Sequence, residues 1–261
     1  MTDDDILLAK RLADAAGAAI RPYFRAEFGL ETKADASPVT EADRAAEAAM
    51  RRLIEAEYPR DGIVGEEYGT KDSLTGRTWV LDPIDGTISF MAGRPIFGTL
   101  IGLLEDGWPV LGVIDQPIGK DRWIGAVGHG TTLNGKPAHP RRCGALSQAV
   151  LATSSPHYFY SEAHVSAYLA IASKVNRYRI IYGGDCYNYG LLASGHIDVV
   201  VESGLKLHDF AALVPVVEGA GGMMCDWAGE PLSATSDGDV IALGDPARLE
   251  DVLEALACHE H

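Results

Sequence analysis

The run Asp82-Pro83-Ile84-Asp85-Gly86-Thr87 places two carboxylates at the end of the apolar stretch Trp79-Val80-Leu81, and a second acidic pair, Glu66-Glu67, follows Ile63-Val64-Gly65. Acids packed this closely against apolar chain cannot all be ionised and buried unless a cation neutralises them. A hard, oxygen-seeking metal meets that need. Because Mg²⁺ is held in proteins by a few carboxylates together with substrate phosphate and water, the pattern points to phosphoryl chemistry. If Thr87 opens a helix, the amides at its start would hold a phosphate. The competing reading makes Asp82 and Asp85 a cap or turn pair, and Glu66-Glu67 a solvated face. Two apolar flanks and the company of the other acids favour ligands.

Further along, Leu207-His208-Asp209-Phe210-Ala211-Ala212-Leu213 puts an acid at the start of an apolar helical run. From local sequence Asp209 reads equally well as an N-cap or as a ligand. His208 reads as a packed or hydrogen-bonded residue. Gly219-Ala220-Gly221-Gly222 looks superficially like a phosphate loop, but it closes a helix rather than opening one, which predicts a C-cap and a tight turn into Met223. His259 and His261 read as a solvated tail.

The elements that must position these groups are legible from spacing. Ile6, Leu7, Ala9, Leu12, Ala13, Ala16 and Ile20 recur at helical intervals over Asp5 to Phe24, behind aspartates suited to the positive end of a helix. A polar stretch through Lys33, Asp35 and Pro38 leads to Thr40-Glu41-Ala42-Asp43, whose acids open a second helix to about Tyr58. Strands at Ile63-Val64 and Trp79 to Leu81 then deliver the two groups of acids from their ends. From Phe97 to Ile124, apolar runs broken by Glu105-Asp106-Gly107 predict antiparallel strands, and Leu133-Asn134-Gly135-Lys136 predicts another hairpin turn. Beyond these lie a strand at Ala149 to Thr153, a helix around Glu162 to Val175, and alternating helix and strand from Tyr187 to Val201. A helix from about Asp209 to Gly219, a short hairpin near Asp226 to Gly229, a strand at Val240 to Leu243 and a last helix from Pro246 to about Leu256 follow. The switch near Ala145 from hairpins to alternating α and β predicts one unit with two halves, 1–144 and 145–261.

Composition limits the partners. The chain has 261 residues, 47% hydrophobic and 23% charged, enough to bury a sizeable core. Its formal charge of −15 argues against binding nucleic acid through a basic surface. An anionic substrate then needs a local positive centre, which the inferred metal cluster would provide. Cys143, Cys186, Cys225 and Cys258 lack CxxC spacing and a His pair, so they read as free, largely buried thiols. The acidic start Met1-Thr2-Asp3-Asp4-Asp5 is unlike a signal peptide, and no apolar run approaches the ~20 residues that span a bilayer. The expectation is a cytoplasmic protein with no membrane partner.

Gly65-Glu66-Glu67, the Asp82 to Thr87 run, and Asp209-x-Ala211-Ala212 leading to Glu218-Gly-Ala-Gly-Gly222 match, in order and spacing, the motifs of the inositol monophosphatase family, and the chain resembles those Mg²⁺-dependent, lithium-sensitive phosphatases. Lys33, Pro38 to Asp43 and Leu133 to Lys136 extend the resemblance over nearly the whole chain. It implies an α/β (α+β) fold, a five-layered αβαβα sandwich of the inositol monophosphatase and fructose-1,6-bisphosphatase type, usually a homodimer, with metal binding in the first half and substrate recognition in the second. It implies two or three Mg²⁺, or Mn²⁺ in their place, held by Glu66, Asp82, the Ile84 carbonyl, Asp85 and Asp209. Gly86, Thr87 and Asp209 would meet the substrate. Thr87, oriented by Asp43, and Glu66 would activate a metal-bound water for in-line attack on phosphorus.

Within the family, Gly183-Gly184-Asp185-Cys186-Tyr187 and Glu202-Ser-Gly-Leu-Lys206, with Ala212-Leu-Val-Pro215 beyond, look like the branch that hydrolyses L-histidinol phosphate in histidine biosynthesis. Asp185 and Glu202 would offer acceptors to the ammonium and imidazole of that substrate, whereas inositol offers only hydroxyls. Asp185 also reads as a turn acid satisfying local amides. The rival substrate is inositol phosphate or another small sugar or nucleotide monophosphate. A non-enzymatic role beside RNA machinery is disfavoured by the charge and by the complete ligand set. Ile88, His208 and Asn188 depart from the usual pattern, and the sequence gives Asn188 no explanation.

Overall fold

The computed structural model describes residues 1–26, 30–32 and 38–257, with 30–32 and 38–40 described by backbone alone. Lys33, Asp35, Cys258, His259 and His261 lie outside the described residues. Helix α1, Asp3–Ile20, starts earlier than its apolar periodicity requires because Thr2 caps it: Thr2 N donates to Asp5 Oδ2 at 2.6 Å and Asp5 N to the Thr2 hydroxyl at 3.4 Å. Pro22 cannot continue the helical ladder, and the chain tightens into a 3-10 turn at Arg21–Tyr23, short of the expected end at Phe24. Strands β1 (Leu30–Thr32) and β2 (Pro38–Thr40) pair antiparallel and lead into α2 (Glu41–Glu57).

Strands β3 (Gly62–Gly65), β4 (Gly69–Lys71), β5 (Arg77–Asp85), β6 (Gly98–Glu105), β7 (Trp108–Gln116), β8 (Asp121–Ala126), β9 (Gly130–Leu133) and β10 (Lys136–Pro137) form an eight-stranded sheet in the order β10-β9-β8-β7-β6-β5-β3-β4. Only β3 and β5 run parallel in it. The short helix α3 (Thr87–Met91) leaves the end of β5. A five-stranded sheet, ordered β12-β11-β13-β15-β14, follows from β11 (Leu151–Thr153), β12 (Ile180–Tyr182), β13 (Val199–Glu202), β14 (Met223–Cys225) and β15 (Val240–Leu243). Between them run α4 (Glu162–Lys174), α5 (Tyr187–Ala193), α6 (Leu207–Phe210) and α7 (Leu213–Ala220), and α8 (Leu249–Ala257) ends the described chain.

The layering follows from which apolar faces meet. Leu12, Ala16, Met50 and Ile54 of α1 and α2 bury Trp79, Leu81, Ile101 and Val113 on one face of the large sheet. Leu100, Ile114 and Trp123 on its other face meet Tyr189, Leu192, Val216 and Val217 of α5 and α7, which also cover Val200 and Ala242 of the small sheet. The outer face of that sheet, with Val199, Val201, Ile241 and Leu243, packs on Tyr168 and Ile171 of α4 and Val252 of α8. The result is the expected αβαβα sandwich. Each fully buried Leu, Ile or Phe contributes about 1.5–3 kcal/mol of hydrophobic stabilisation.

One helix-on-sheet contact matters to the site. Gly102, Gly112 and Gly125 stand in register across β6, β7 and β8. A Cβ on Gly112 would come within 1.8 Å of the Ala212 carbonyl oxygen, and one on Gly125 within 2.2 Å of that of Pro215. The glycine stripe therefore lets the backbone of residues 211–216 lie directly on the sheet, which draws the start of α6 over β5. The helix expected from Asp209 to Gly219 is split into α6 and α7 at Ala211-Ala212. Pro215 has no N–H for the Ala211 carbonyl, and its ring crowds that position.

Candidate active site

β5 brings Asp82 and Asp85 to the same end of the sheet by a local irregularity: pairing with β6 shifts between Asp82 and Asp85. The displaced loop is held by Asp82 Oδ1, which accepts Ile84 N at 3.1 Å, and by Thr99 Oγ1, which donates to the Pro83 carbonyl at 2.8 Å. Gly86 then takes a left-handed conformation (φ 83°), and Thr87 opens α3 with its hydroxyl donating to the Ile84 carbonyl at 3.1 Å. The amides of that first turn have no acceptor within the helix. Ile88, next on α3, is exposed.

Asp209 arrives from the other side, three residues into α6. Its Oδ2 accepts Lys206 N at 2.7 Å, but Lys206 is the N-cap and Asp209 the third helical residue, so Asp209 supports the cap from inside the helix instead of being the N-cap itself. The ligand position is present as well: one oxygen each from Asp82, Asp85 and Asp209 lie within 4.8 Å of one another. The site draws Asp209 from α6, which follows β13 of the small sheet, and the other two acids from β5 of the large one. His208 Nε2 stands 3.5 Å from Asp209 Oδ1, beside a ligand candidate rather than within the cluster.

Electrostatics identify the cluster as incomplete on its own. Burial first, and then repulsion from Glu66, Asp85, Asp209 and Asp43, holds the Asp82 carboxyl well above the usual range. Burial, then Asp185 and Asp209, does the same to Asp85. Asp209 is also raised, burial outweighing the relief from His208 and Lys206. Among the described residues no lysine or arginine forms an ion pair with any of the three. An all-oxygen donor set with surplus negative charge fits a hard divalent cation.

Glu66 and Asp43 are placed around this cluster rather than in its tight triad. Glu66 N donates to the Leu81 carbonyl at 3.2 Å, setting Glu66 beside the residue before Asp82, and its charge is felt by both Asp82 and Asp209. Asp43 is buried on the first turn of α2, and its charge reaches Asp82. Sequence reading missed Glu47, which fixes Glu66 from behind. Glu47 is fully buried and accepts Glu67 N at 2.7 Å, Tyr68 N at 3.1 Å and Arg51 Nε at 2.7 Å, so it gathers the turn that follows Glu66. A Cβ on Gly65 would sit 2.0 Å from the Glu47 carboxylate. The only earlier signal was an acid on the inward face of α2, where charge is rare unless partnered.

The segment Gly183 to Tyr187 docks on the same edge. Cys186 N donates to Asp85 Oδ2 at 2.6 Å, and Ser89 Oγ donates to Asp185 Oδ2 at 3.0 Å. Asp185 lies so close to Gly86 that a Cβ there would be 2.6 Å from its carboxylate. Burial raises the Asp185 carboxyl, while bonds from Ser89 and Ser154 and the charge of Arg94 oppose the rise. Gly183, Gly184 and Asp185 all have positive φ (82°, 115° and 42°), a costly conformation for the aspartate. Asn188, unexplained by sequence, braces this turn: it is buried, its Nδ2 donates to the Gly183 carbonyl at 3.1 Å, and its side chain fills the space a Cβ on Gly184 would need.

Glu202, at the end of β13, is 3% exposed and its oxygens are engaged. Oε1 accepts Ser154 N at 2.6 Å and Ser154 Oγ at 2.8 Å, and Oε2 accepts Thr153 Oγ1 at 3.1 Å. Burial pushes its carboxyl up to about 7 against those bonds. It ties the end of β11 to that of β13. Cys143, Cys186 and Cys225 are free and buried, as expected. No helix among the described residues is long and apolar enough to cross a membrane.

A five-layered αβαβα sandwich in which an interior strand of the large sheet ends in clustered carboxylates beside the first turn of a helix defines the class of metal-dependent phosphatases. The chain belongs to the inositol monophosphatase family, whose model matches residues 2–261. It is 50% identical to a chloroplastic bifunctional phosphatase, IMPL2, of Arabidopsis thaliana, over 95% of this chain and 73% of that one. It is 38% identical to a histidinol-phosphatase of Mycobacterium tuberculosis, over 86% of this chain and 88% of that one. Among solved structures, an inositol monophosphatase from Zymomonas mobilis superposes with a TM-score of 0.89 at 54% identity, over 98% of each chain. The protein is thus a phosphoric monoester hydrolase of this family.

Proposed function

We propose that the protein is a Mg²⁺-dependent phosphomonoesterase that releases L-histidinol and phosphate from L-histidinol phosphate. The observation that carries the substrate is Asp185: a carboxylate held against Gly86, one residue from the chain that binds Asp85, offers an acceptor to a cationic headgroup whose phosphate lies at the metal edge. The named histidinol-phosphatase relative supports the same choice. Glu202 acts in this reading through Thr153 and Ser154, holding the strand end that faces Asp185.

Asp82, Asp85 and Asp209, with Glu66 and the Ile84 carbonyl beside them, would hold the cation. Bound there, it would supply Lewis acidity toward water and toward the phosphoryl and leaving oxygens. The protein's own part is positional. First-turn amides at Gly86 and Thr87 receive equatorial phosphoryl oxygens, and the Thr87 hydroxyl, fixed on the Ile84 carbonyl, orients an attacking water, so no protein nucleophile is needed. The same reading includes a cytoplasmic homodimer, with 1–144 building most of the metal edge and 145–261 the recognition side.

Inositol 1-phosphate is the second reading. It is favoured by the 54% identical neighbour and by Arg94, whose charge already offsets that of Asp185. The test compares kcat/KM for the two phosphate esters with Mg²⁺ and with chelator. The proposal expects a clear preference for histidinol phosphate that falls at least about tenfold in Asp185→Ala, with a smaller change for the inositol ester. Equal or reversed preference would assign the site to the inositol ester.

A further inference from the structure

Away from the carboxylate cluster, a cleft of about 770 Å³ opens between α1, the β7–β8 turn and the β9–β10 turn. Lys10, Arg21, Lys120 and Arg122 line it, against only two acids, Asp14 and Asp115. Both acids are already matched by a single arginine: Arg122 Nε lies 2.6 Å from Asp115 Oδ1 and its NH2 2.9 Å from Asp14 Oδ1. Lys10, Arg21 and Lys120 form no ion pair among the described residues. Lys10 and Lys120 converge there with Arg21, whose charge also reaches Asp115, and the resulting excess of cations over acids is unexpected in a chain whose formal charge is −15.

The cleft is built rather than incidental. Gly17 lets the β7–β8 turn close on α1, since a Cβ there would be 2.8 Å from the Arg21 guanidinium and 3.2 Å from Pro117. The buried side chain of Gln116 accepts the amides of Ile118, at 2.9 Å, and Gly119, which shapes the turn that presents Lys120. Lys120 itself is held at φ 64°, a left-handed conformation uncommon for a lysine. On the opposite rim, the Asn134-Gly135 turn is tied to the same hairpin by Asn134 Oδ1, which accepts Arg122 N at 3.0 Å. A volume of this size suits a small molecule, and its charge suits an anion.

From this geometry we propose a second ligand site, in which Lys10, Arg21 and Lys120 bind a small anion carrying two or more phosphoryl groups. It lies next to a direct connection to the recognition segment: Asp121, adjacent to Lys120, accepts the Tyr187 hydroxyl at 2.7 Å, and Tyr187 opens α5 immediately after Asp185 and Cys186. Trp123 of the same strand packs edge-on against the Tyr187 ring at 5.3 Å. An anion drawing on Lys120 therefore pulls on the strand that anchors the Asp185 turn.

The test is calorimetric titration of the full-length, metal-free protein with inorganic pyrophosphate at about 0.15 M salt, where screening beyond ~8 Å leaves mainly close contacts. Without a cation the catalytic acids repel the probe, so binding there is suppressed. The expected result is one pyrophosphate per chain. The affinity should fall at least about tenfold in Lys10→Glu/Lys120→Glu and by less in Lys120→Ala, with melting temperatures unchanged, because charge-assisted contacts to phosphate are strong. Asp85→Asn should leave it unchanged. No saturable binding, or binding insensitive to both lysine variants, or binding that strengthens in Asp85→Asn, would overturn the site.

Discussion

β5 carries the same chemistry at its two ends and resolves it in opposite ways. At its start Arg77 lies between two buried acids, with its guanidinium on Asp5 and its Nε 3.2 Å from Asp61, where Thr75 and Trp79 also donate. Burial raises the Asp5 carboxyl, but the Arg77 and Thr2 donors outweigh it and hold the group below the usual range. At the far end Asp82 and Asp85 meet Asp209 with no arginine or lysine ion pair among the described residues, and all three carboxyls rise. One end has its cation built into the chain. The other leaves that charge to be supplied, and this separates a structural acid cluster from a functional one better than burial does. Asp185, partly buried, and Glu202, buried, form an intermediate case among hydroxyl and amide donors.

The largest expected effect falls at the functional end. Asp82→Asn should cut Mg²⁺-dependent phosphate release at least about a thousandfold, a barrier change of roughly 4 kcal/mol. Unchanged turnover would remove the distinction between the two ends. At the structural end, Arg77→Ala leaves Asp5 and Asp61 buried without their cation and should cost about 3 kcal/mol of stability, read by urea unfolding, with kcat/KM nearly intact. A large loss of turnover in the folded variant would mean that this cluster also serves the reaction.

The intermediate acids sharpen the comparison. Burial pushes the Glu202 carboxyl up to about 7 in the fold from the 4.5 of an exposed glutamate, so over that range the folded state holds a proton that the unfolded chain has released. Stability is then lost as pH rises from about 4.5 through about 7. Glu202→Gln should flatten that slope and recover about 2 kcal/mol at neutral pH, measured as melting temperature against pH. A slope identical to the parent's would show that the hydroxyl donors hold Glu202 ionised. Smallest is Asn188→Ala, which removes the brace under Gly183 and should cost about 1 kcal/mol and raise KM several-fold with kcat little changed. An unchanged KM would mean that the turn holds its shape unaided.

Much of this was legible before folding. Asp82 and Asp85 stood out as acids against apolar runs, whereas Asp209 read equally well as a cap, and the longer helices and strands followed their periodicity while the short strands β1, β2, β4 and β12 carried too few residues to show one. What sequence could not disclose is long-range. Glu47 looks like any helix acid until the turn after Glu66 folds onto it, and Asn188 acquires meaning only when Gly183 and Gly184 curl above it. The glycines of β6, β7 and β8 read as weak strand residues, yet their missing side chains let the 211–216 backbone settle on the sheet and bring Asp209 within reach of β5. The break between α6 and α7 was foreseeable from Pro215, but the apolar run over it masked the signal.

The most direct measurement is the melting temperature of Asp85→Asn beside the parent, first in chelator and then with Mg²⁺ added. If the far end of β5 is a charge surplus awaiting a cation, removing one charge should raise the metal-free melting temperature by several degrees, while Mg²⁺ should stabilise the parent and do little for the variant. A variant less stable than the parent in chelator, yet equally stabilised by Mg²⁺, would contradict the account.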